Sequence, residues 1–155
     1  MNQNFEYFQI SQKSRYAIRA LLQLALLDSR EPVGVKKLAD AQDIPSRFLE
    51  VILSELRQGG FVLSVRGKRG GYMLAHRPRQ VTIGQIIRFV ESVQNKQFSC
   101  DGIFSQRIKA GDFSENWLFN QINGAISEIL DGVTLEELIR KESAHKAAYV
   151  ENYVI

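Results

Sequence analysis

Apolar residues recur at helical spacing through the first sixty residues of the chain. After Ser11, which can cap a helix, one apolar face contains Tyr16, Ala17, Ala20, Leu21, Leu24 and Leu27. Two shorter periodic segments follow at residues 35–41 and 46–58, and Pro45 suits the first turn of the second one. The apolar positions of that second segment are Phe48, Leu49, Ile52, Leu53 and Leu56. Two short helices joined by a tight turn predict a helix-turn-helix unit.

The pattern changes from helical to strand-like after two consecutive glycines at residues 59–60. Residues 61–65 and 72–75 are rich in β-branched and aromatic side chains, which favour strands. A basic, glycine-rich tip separates them and consists of Arg66, Gly67, Lys68, Arg69, Gly70 and Gly71. A β-hairpin directly after a helix-turn-helix unit predicts a wing.

The C-terminal half is predicted to contain helices on either side of a long loop. A helix capped by Thr82 covers residues 83–93, whereas residues 94–112 have no clean period. Residues 114–130 have a broad apolar face, and a short helix capped by Thr134 covers residues 135–141. The end of the chain, residues 143–155, is interpreted as a frayed tail.

Charge separates the two halves of this 155-residue chain, whose composition is otherwise that of a globular protein. Residues 11–80 hold 13 basic and 6 acidic side chains, a net charge of +7, whereas residues 81–155 have a net charge of −3. A basic front half favours a polyanion as partner. The polar N-terminus and the absence of a long apolar run predict a cytoplasmic protein with no membrane segment.

The basic residues suggest how double-stranded DNA would be contacted. In the predicted recognition helix, Ser46, Arg47 and Glu50 would face the major groove, where arginine suits guanine and glutamate suits cytosine. Arg66 and the rest of the wing tip would approach a minor groove or phosphates. The residues expected at phosphates are Ser11, Lys13, Arg15, Lys36 and Lys37. For Glu50, for each lysine and for the tip, an ordinary solvated surface charge is the alternative interpretation.

An enzyme and a metal site are both disfavoured. The chain has a single cysteine, Cys100, and two histidines 69 residues apart, so one chain offers few ligands for a metal. Catalytic sets of Ser/His/Asp or Cys/His type are missing at any persuasive spacing. The remaining rival is a winged-helix module that binds proteins instead of DNA.

Three segments resemble the bacterial Rrf two family of winged-helix transcription regulators. They are SQKSRYAIRALLQLA at residues 11–25, IPSRFLEVILSELRQGGFVLSVRGKRGGYMLA at residues 44–75 and VTIGQIIRFVES at residues 81–92. The resemblance spans about residues 10–142. It implies a mainly α-helical protein with a small β-hairpin wing, and roles in DNA recognition for Arg66 and Glu50.

The resemblance also implies a homodimer built on a long helix near the C-terminus, here residues 114–130. The expected dimerisation residues are Trp117, Leu118, Ile122, Ala125, Ile126 and Ile129. The predicted division is a winged-helix domain at 1–93, a loop and effector region at 94–112, dimerisation helices at 113–142 and the tail at 143–155. The expected function is repression by a dimer on a palindromic operator, with a small molecule or a protein as effector.

The cysteine content departs from the family pattern. Cluster-binding members carry three cysteines before the dimerisation helix, whereas this chain has only Cys100 there. Iron–sulfur clusters need more thiolates than that, so no cofactor is predicted. Cys100 is interpreted as an ordinary loop residue or as a redox-sensing thiol, and a redox- or cluster-responsive variant of the same regulator stays the alternative.

Overall fold

The computed structural model describes residues 10–27, 31–94 and 113–153 and is mostly helical, as predicted. A two-stranded antiparallel sheet interrupts the helices. In chain order the elements are α1 (Gln12–Leu27), α2 (Val35–Gln42), α3 (Ser46–Gln58), β1 (Val62–Val65), β2 (Gly71–Leu74), a 3-10 turn (Pro78–Gln80), α4 (Ile83–Gln94), α5 (Phe113–Gly132) and α6 (Leu135–Tyr153).

One apolar core joins the first four helices to the beginning of α6. Its fully buried side chains include Leu21 of α1, Leu49 of α3, Ile86 of α4 and Leu135 of α6. Burying an aliphatic side chain of this size contributes about 1.5–3 kcal/mol relative to exposing it. The core therefore fixes how α3, the predicted recognition helix, is presented.

The caps predicted for three helices are present. The hydroxyl of Ser11 accepts a hydrogen bond from the backbone N–H of Ser14 at 3.1 Å. Thr82 and Thr134 accept in the same way from residues three positions further along, each at 3.2 Å. Because a capping hydroxyl replaces a hydrogen bond that the first turn lacks, these residues fix where α1, α4 and α6 begin.

The hairpin is tied to the rest of the domain by a third backbone segment. Strands β1 and β2 pair with Val62 opposite Leu74 and Val65 opposite Gly71. The N–H of Val33 donates to the carbonyl of Tyr72 at 2.8 Å, and the N–H of Tyr72 donates back to Val33 at 2.9 Å. A Cβ at Gly71 would lie 2.3 Å from the Val33 carbonyl oxygen, so only glycine permits this pairing.

A second pair of backbone hydrogen bonds joins the segment at the start of α4 to the segment at the start of α6. The N–H of Ile83 donates to the carbonyl of Val133 at 2.9 Å, and the N–H of Leu135 donates to that of Val81 at 3.0 Å. These bonds hold the first turn of α6 beside the first turn of α4. Leu135 consequently lies in the same core as the helix-turn-helix unit.

The interpretation of residues 143–155 as a frayed tail is wrong for most of that segment. Helix α6 continues to Tyr153 instead of ending at residue 141. The physical reason is visible in the sequence, because residues 135–153 contain neither glycine nor proline and are rich in alanine, glutamate and lysine. Pro45 also lies one position earlier than predicted, at the N-cap of α3.

Candidate nucleic-acid interface

Helix α3 presents a polar stripe on the side opposite the core. It buries Leu49, Ile52, Leu53 and Leu56, while Ser46, Arg47 and Glu50 are exposed, as their predicted role requires. Phe48, one of the apolar positions of this helix, is exposed, and its ring packs edge-on against Tyr16 at a centroid distance of 5.7 Å. Val51 is exposed beside these residues and was missed by sequence reasoning.

Lys13 has a partner inside the protein. Its Nζ lies 2.7 Å from Oε1 and 2.6 Å from Oε2 of Glu55, and the two side chains are only 16% and 18% exposed. The pair links α1 to α3. This contact gives Lys13 a structural role that the sequence did not indicate, whereas its expected phosphate contact stays a prediction.

The start of α1 is held by a buried carboxylate. Oε1 of Glu91 in α4 accepts from the backbone N–H of Ser11 at 3.1 Å and from the hydroxyl of Ser14 at 2.6 Å. A carboxylate at a helix N-terminus is favourable because the helix dipole is positive there. The predicted phosphate contact of Ser11 stays untested, but its amide is already engaged within the protein.

The other cations predicted at phosphates lie on the surface. Arg15 is exposed on the first turn of α1, and Lys36 and Lys37 are exposed on the first turn of α2. Amide groups at the start of α2 would add to the attraction of the two lysines for an anion.

The wing tip is exposed through Arg66, Gly67, Lys68 and Arg69. The N–H of Gly70 donates to the carbonyl of Gly67 at 2.9 Å and closes the turn. A Cβ at Gly70 would lie 2.4 Å from the carbonyl oxygen of Val65, so this glycine is needed for the shape of the hairpin. The three cations are therefore presented by a turn of defined geometry.

Backbone hydrogen bonds attach the wing to the end of α3. The N–H of Phe61 donates to the carbonyl of Leu56 at 2.9 Å, and the N–H of Ala75 donates to that of Phe61 at 3.0 Å. Nη1 of Arg57 in α3 also lies 3.5 Å from the hydroxyl of Ser64 in β1. The predicted recognition helix and the wing are thus attached to each other by backbone and side-chain hydrogen bonds.

The predicted dimerisation residues lie at the surface of α5. Trp117 is 59% exposed and Ile129 is 66% exposed, and Leu118 and Ala125 are exposed as well. Ile122 and Ile126 are half-buried. The same helix packs on the core through Leu130, so its large apolar side chains at the surface belong to a different face.

The described part of the chain contains neither a candidate metal site nor a helix suited to span a membrane. Residues 10–27, 31–94 and 113–153 contain no group of three or more His, Cys, Asp or Glu side chains suited to a metal ion. Among the same residues, no helix is long and apolar enough to cross a membrane. Cys100 and the rest of the predicted effector loop, residues 95–112, lie outside the described residues.

A helix-turn-helix unit followed by a basic two-stranded wing defines a winged-helix DNA-binding protein. Comparison with known families identifies the particular group. The model of Rrf2, described as an iron-dependent transcriptional regulator, matches residues 10–141. The chain belongs to the Rrf2 family, the Rrf two family that its motifs resemble.

Individual relatives agree with this assignment. The HTH-type transcriptional regulator CymR of Bacillus subtilis is 30% identical over 142 residues, which cover 92% of this chain and 97% of CymR. IscR of Pectobacterium atrosepticum is 32% identical over 142 residues, covering 90% of this chain and 84% of IscR. The solved structure of CymR, the global cysteine regulator of Bacillus subtilis, superimposes with a TM-score of 0.74 at 30% identity and covers 86% of this chain and 97% of that one. The protein is a DNA-binding transcription regulator and not an enzyme.

The family description mentions iron, but the donor set of this chain does not fit an iron–sulfur cluster. Such clusters are held mainly by several cysteine thiolates, and the 155 residues contain one cysteine and two histidines. His76 lies just after the wing and His145 lies on α6, both exposed. We therefore assign no step of regulation to a cluster.

Proposed function

We propose that the protein represses transcription as a homodimer that occupies a palindromic operator. The observation that carries the dimer is the exposed apolar face of α5, centred on Trp117, Leu118 and Ile129. Exposing large apolar side chains to water is unfavourable. Packing of α5 against α5 of a second copy would bury them. Residues 113–142, which include α5, are accordingly proposed as the dimerisation part.

The base contacts are proposed for the exposed N-terminal half of α3. Arg47 would donate to the O6 and N7 atoms of guanine, and Glu50 would accept from the amino group of cytosine. Both side chains are exposed and share the helix surface that faces away from the core. Ser46, at the first position of α3, would approach the same groove.

The wing and the lysines would supply the phosphate and minor-groove contacts. Arg66 is proposed for a minor groove, because arginine is attracted by the negative potential of a narrow one. Lys68 and Arg69 at the tip, and Lys36 and Lys37 on α2, would neutralise phosphates. A dimer would place two such surfaces on half-sites about one helical turn apart.

Regulation is proposed to follow from occupancy of the promoter. A bound dimer would exclude the transcription machinery, and a small molecule or a protein would change its affinity for the operator. This mode of action requires access to genomic DNA, so we propose a cytoplasmic location.

Selection from a randomised duplex pool tests the proposal. The full-length protein is expected to enrich an inverted repeat, and its affinity should fall steeply with salt because phosphate contacts release counterions. Enrichment of a single asymmetric site would contradict the dimeric operator. Equal affinity for every duplex in the pool would contradict sequence-specific regulation.

A further inference from the structure

An exposed valine lies beside the side chains of α3 that are proposed to contact bases. Val51 of α3 is 52% exposed, although valine is one of the residue types most often buried. It lies one helical turn after Arg47 and directly follows Glu50 in the chain. The three side chains therefore share one surface of the first two turns of α3.

The neighbouring aromatic ring has a structural explanation, whereas Val51 does not. Phe48, three positions before Val51, packs edge-on against Tyr16 of α1, and the guanidinium carbon of Arg19 lies 5.8 Å from the centre of the Tyr16 ring. The core cluster of buried and partly buried residues includes Tyr16 but not Val51. Val51 consequently contributes little to the fold that a smaller side chain would not.

The chemistry around Val51 indicates what would cover it. Arg47 is exposed on the same surface, and the wing attached to α3 adds the exposed cations Arg66, Lys68 and Arg69. This charge is complementary to a nucleic acid, and in the major groove thymine alone among the four bases presents a methyl group. A valine is short and has few rotamers, so it suits an apolar contact close to the helix backbone.

We propose that Val51 is a specificity-determining residue that contacts the C5-methyl group of a thymine in each half-site. The inference rests on the proposed DNA-binding surface and deepens it. Arg47 and Glu50 would read hydrogen-bonding edges of their bases, while Val51 would read the methyl group of an adjacent base pair. The operator would therefore contain a thymine that cannot be replaced by uracil without loss of affinity.

The experiment starts from the duplex that the wild-type protein selects from a random pool. Each thymine of one half-site is replaced in turn by deoxyuridine, which keeps base pairing but removes the methyl group. At one position the wild-type affinity is expected to fall about fourfold, the effect of exposing one buried methyl. In Val51→Ala the apolar contact with the methyl group is already lost. The same replacement is therefore expected to change the affinity of this variant by less than about 1.5-fold.

Val93→Ala is the matched control, because Val93 is also an exposed valine on a helix, at 44%, but lies on α4. It should keep the full effect of deoxyuridine. Thermal melting of both variants verifies the fold.

Persistence of the effect in Val51→Ala would overturn the inference, as would the absence of an effect at every thymine in the wild type. In either case sequence-specific binding would survive and the proposed function would stand, whereas failure to select any duplex would remove both.

Discussion

The ammonium group of Lys13 lies within 2.7 Å of the carboxylate of Glu55, across the contact between α1 and α3. Both side chains are largely buried, so each charge depends on the other for compensation. The pair holds α3, the predicted recognition helix, against α1. A lysine predicted from the sequence to contact phosphate thus links α1 to α3, the helix proposed to contact the bases.

Replacing Lys13 with methionine should destabilise the protein. Because Glu55 would keep a largely buried charge without its cation, we expect the free energy of unfolding to fall by about 1–3 kcal/mol. Urea denaturation at one fixed protein concentration measures this change. Lys36→Met is the matched control, because Lys36 is exposed on α2 and its loss should leave stability nearly unchanged.

The same two variants separate structure from DNA contact. Loss of a phosphate contact at Lys36 should reduce the salt dependence of DNA binding by about one counterion. Lys13→Met should leave that slope unchanged. If Lys13→Met kept full stability and lost one counterion, the ion pair would have no structural role and Lys13 would bind phosphate as first predicted.

Gly71→Ala should weaken the attachment of the wing. The new Cβ would lie 2.3 Å from the Val33 carbonyl oxygen, so the Val33–Tyr72 pairing would have to open. We expect a loss of about 1–3 kcal/mol in unfolding free energy together with weaker DNA binding. Gly34→Ala is the control because its Cβ would meet nothing within 4 Å. Equal stability of the two variants would show that the close approach at Gly71 is unimportant.

The elements were predictable from the sequence because they depend on local patterns. The spacing of apolar residues and the glycines after them predicted α3. The β-branched residues on either side of a glycine-rich tip predicted the wing. The contacts that position them were not predictable. Lys13 and Glu55 are 42 residues apart, and Ser11 and Glu91 are 80 apart, so each pairing depends on how the helices pack.

The burial of individual apolar residues was also only partly predictable. Helical spacing assigned Phe48 to the apolar face of α3, but the core contacts only the narrower set around Leu49, Ile52 and Leu56. A ring at the margin of such a face is buried or exposed according to its neighbours, here Tyr16. The full length of α6 was not predicted, because its last turns have helix-forming residues but no clear apolar period.

Arg66→Ala should weaken DNA binding without affecting the fold. Arg66 is exposed at the wing tip, so its loss removes a groove contact of about 1–3 kcal/mol and leaves the core intact. Fluorescence anisotropy with the selected duplex at physiological salt measures the affinity. Arg79→Ala, an exposed arginine on the 3-10 turn, serves as the control. Affinity equal to that of the wild type would contradict the role given to Arg66.

Protein purified without oxygen should be colourless and free of acid-labile sulfide. Cys100 is the only cysteine of the chain, so one subunit lacks the thiolates that a cluster normally requires. Anaerobic expression with added iron, followed by iron and sulfide analysis, measures this directly. Cys100→Ser is expected to bind DNA like the wild type under reducing conditions. Near-stoichiometric iron and sulfide that disappear in Cys100→Ser would show that the single thiol supports a cluster.

We propose that the regulator binds its operator as a dimer through α5, and among the side chains of that helix that the structure describes, Ile129 is the most exposed large hydrophobic one. Sedimentation velocity of the full-length protein with the labelled selected duplex tests it most directly. Two chains per duplex are expected for the wild type. Ile129→Asp should place a charge in the apolar interface, give a monomer at micromolar concentration and bind the duplex far more weakly. A wild-type monomer that binds the duplex one to one, or full affinity in monomeric Ile129→Asp, would contradict the account.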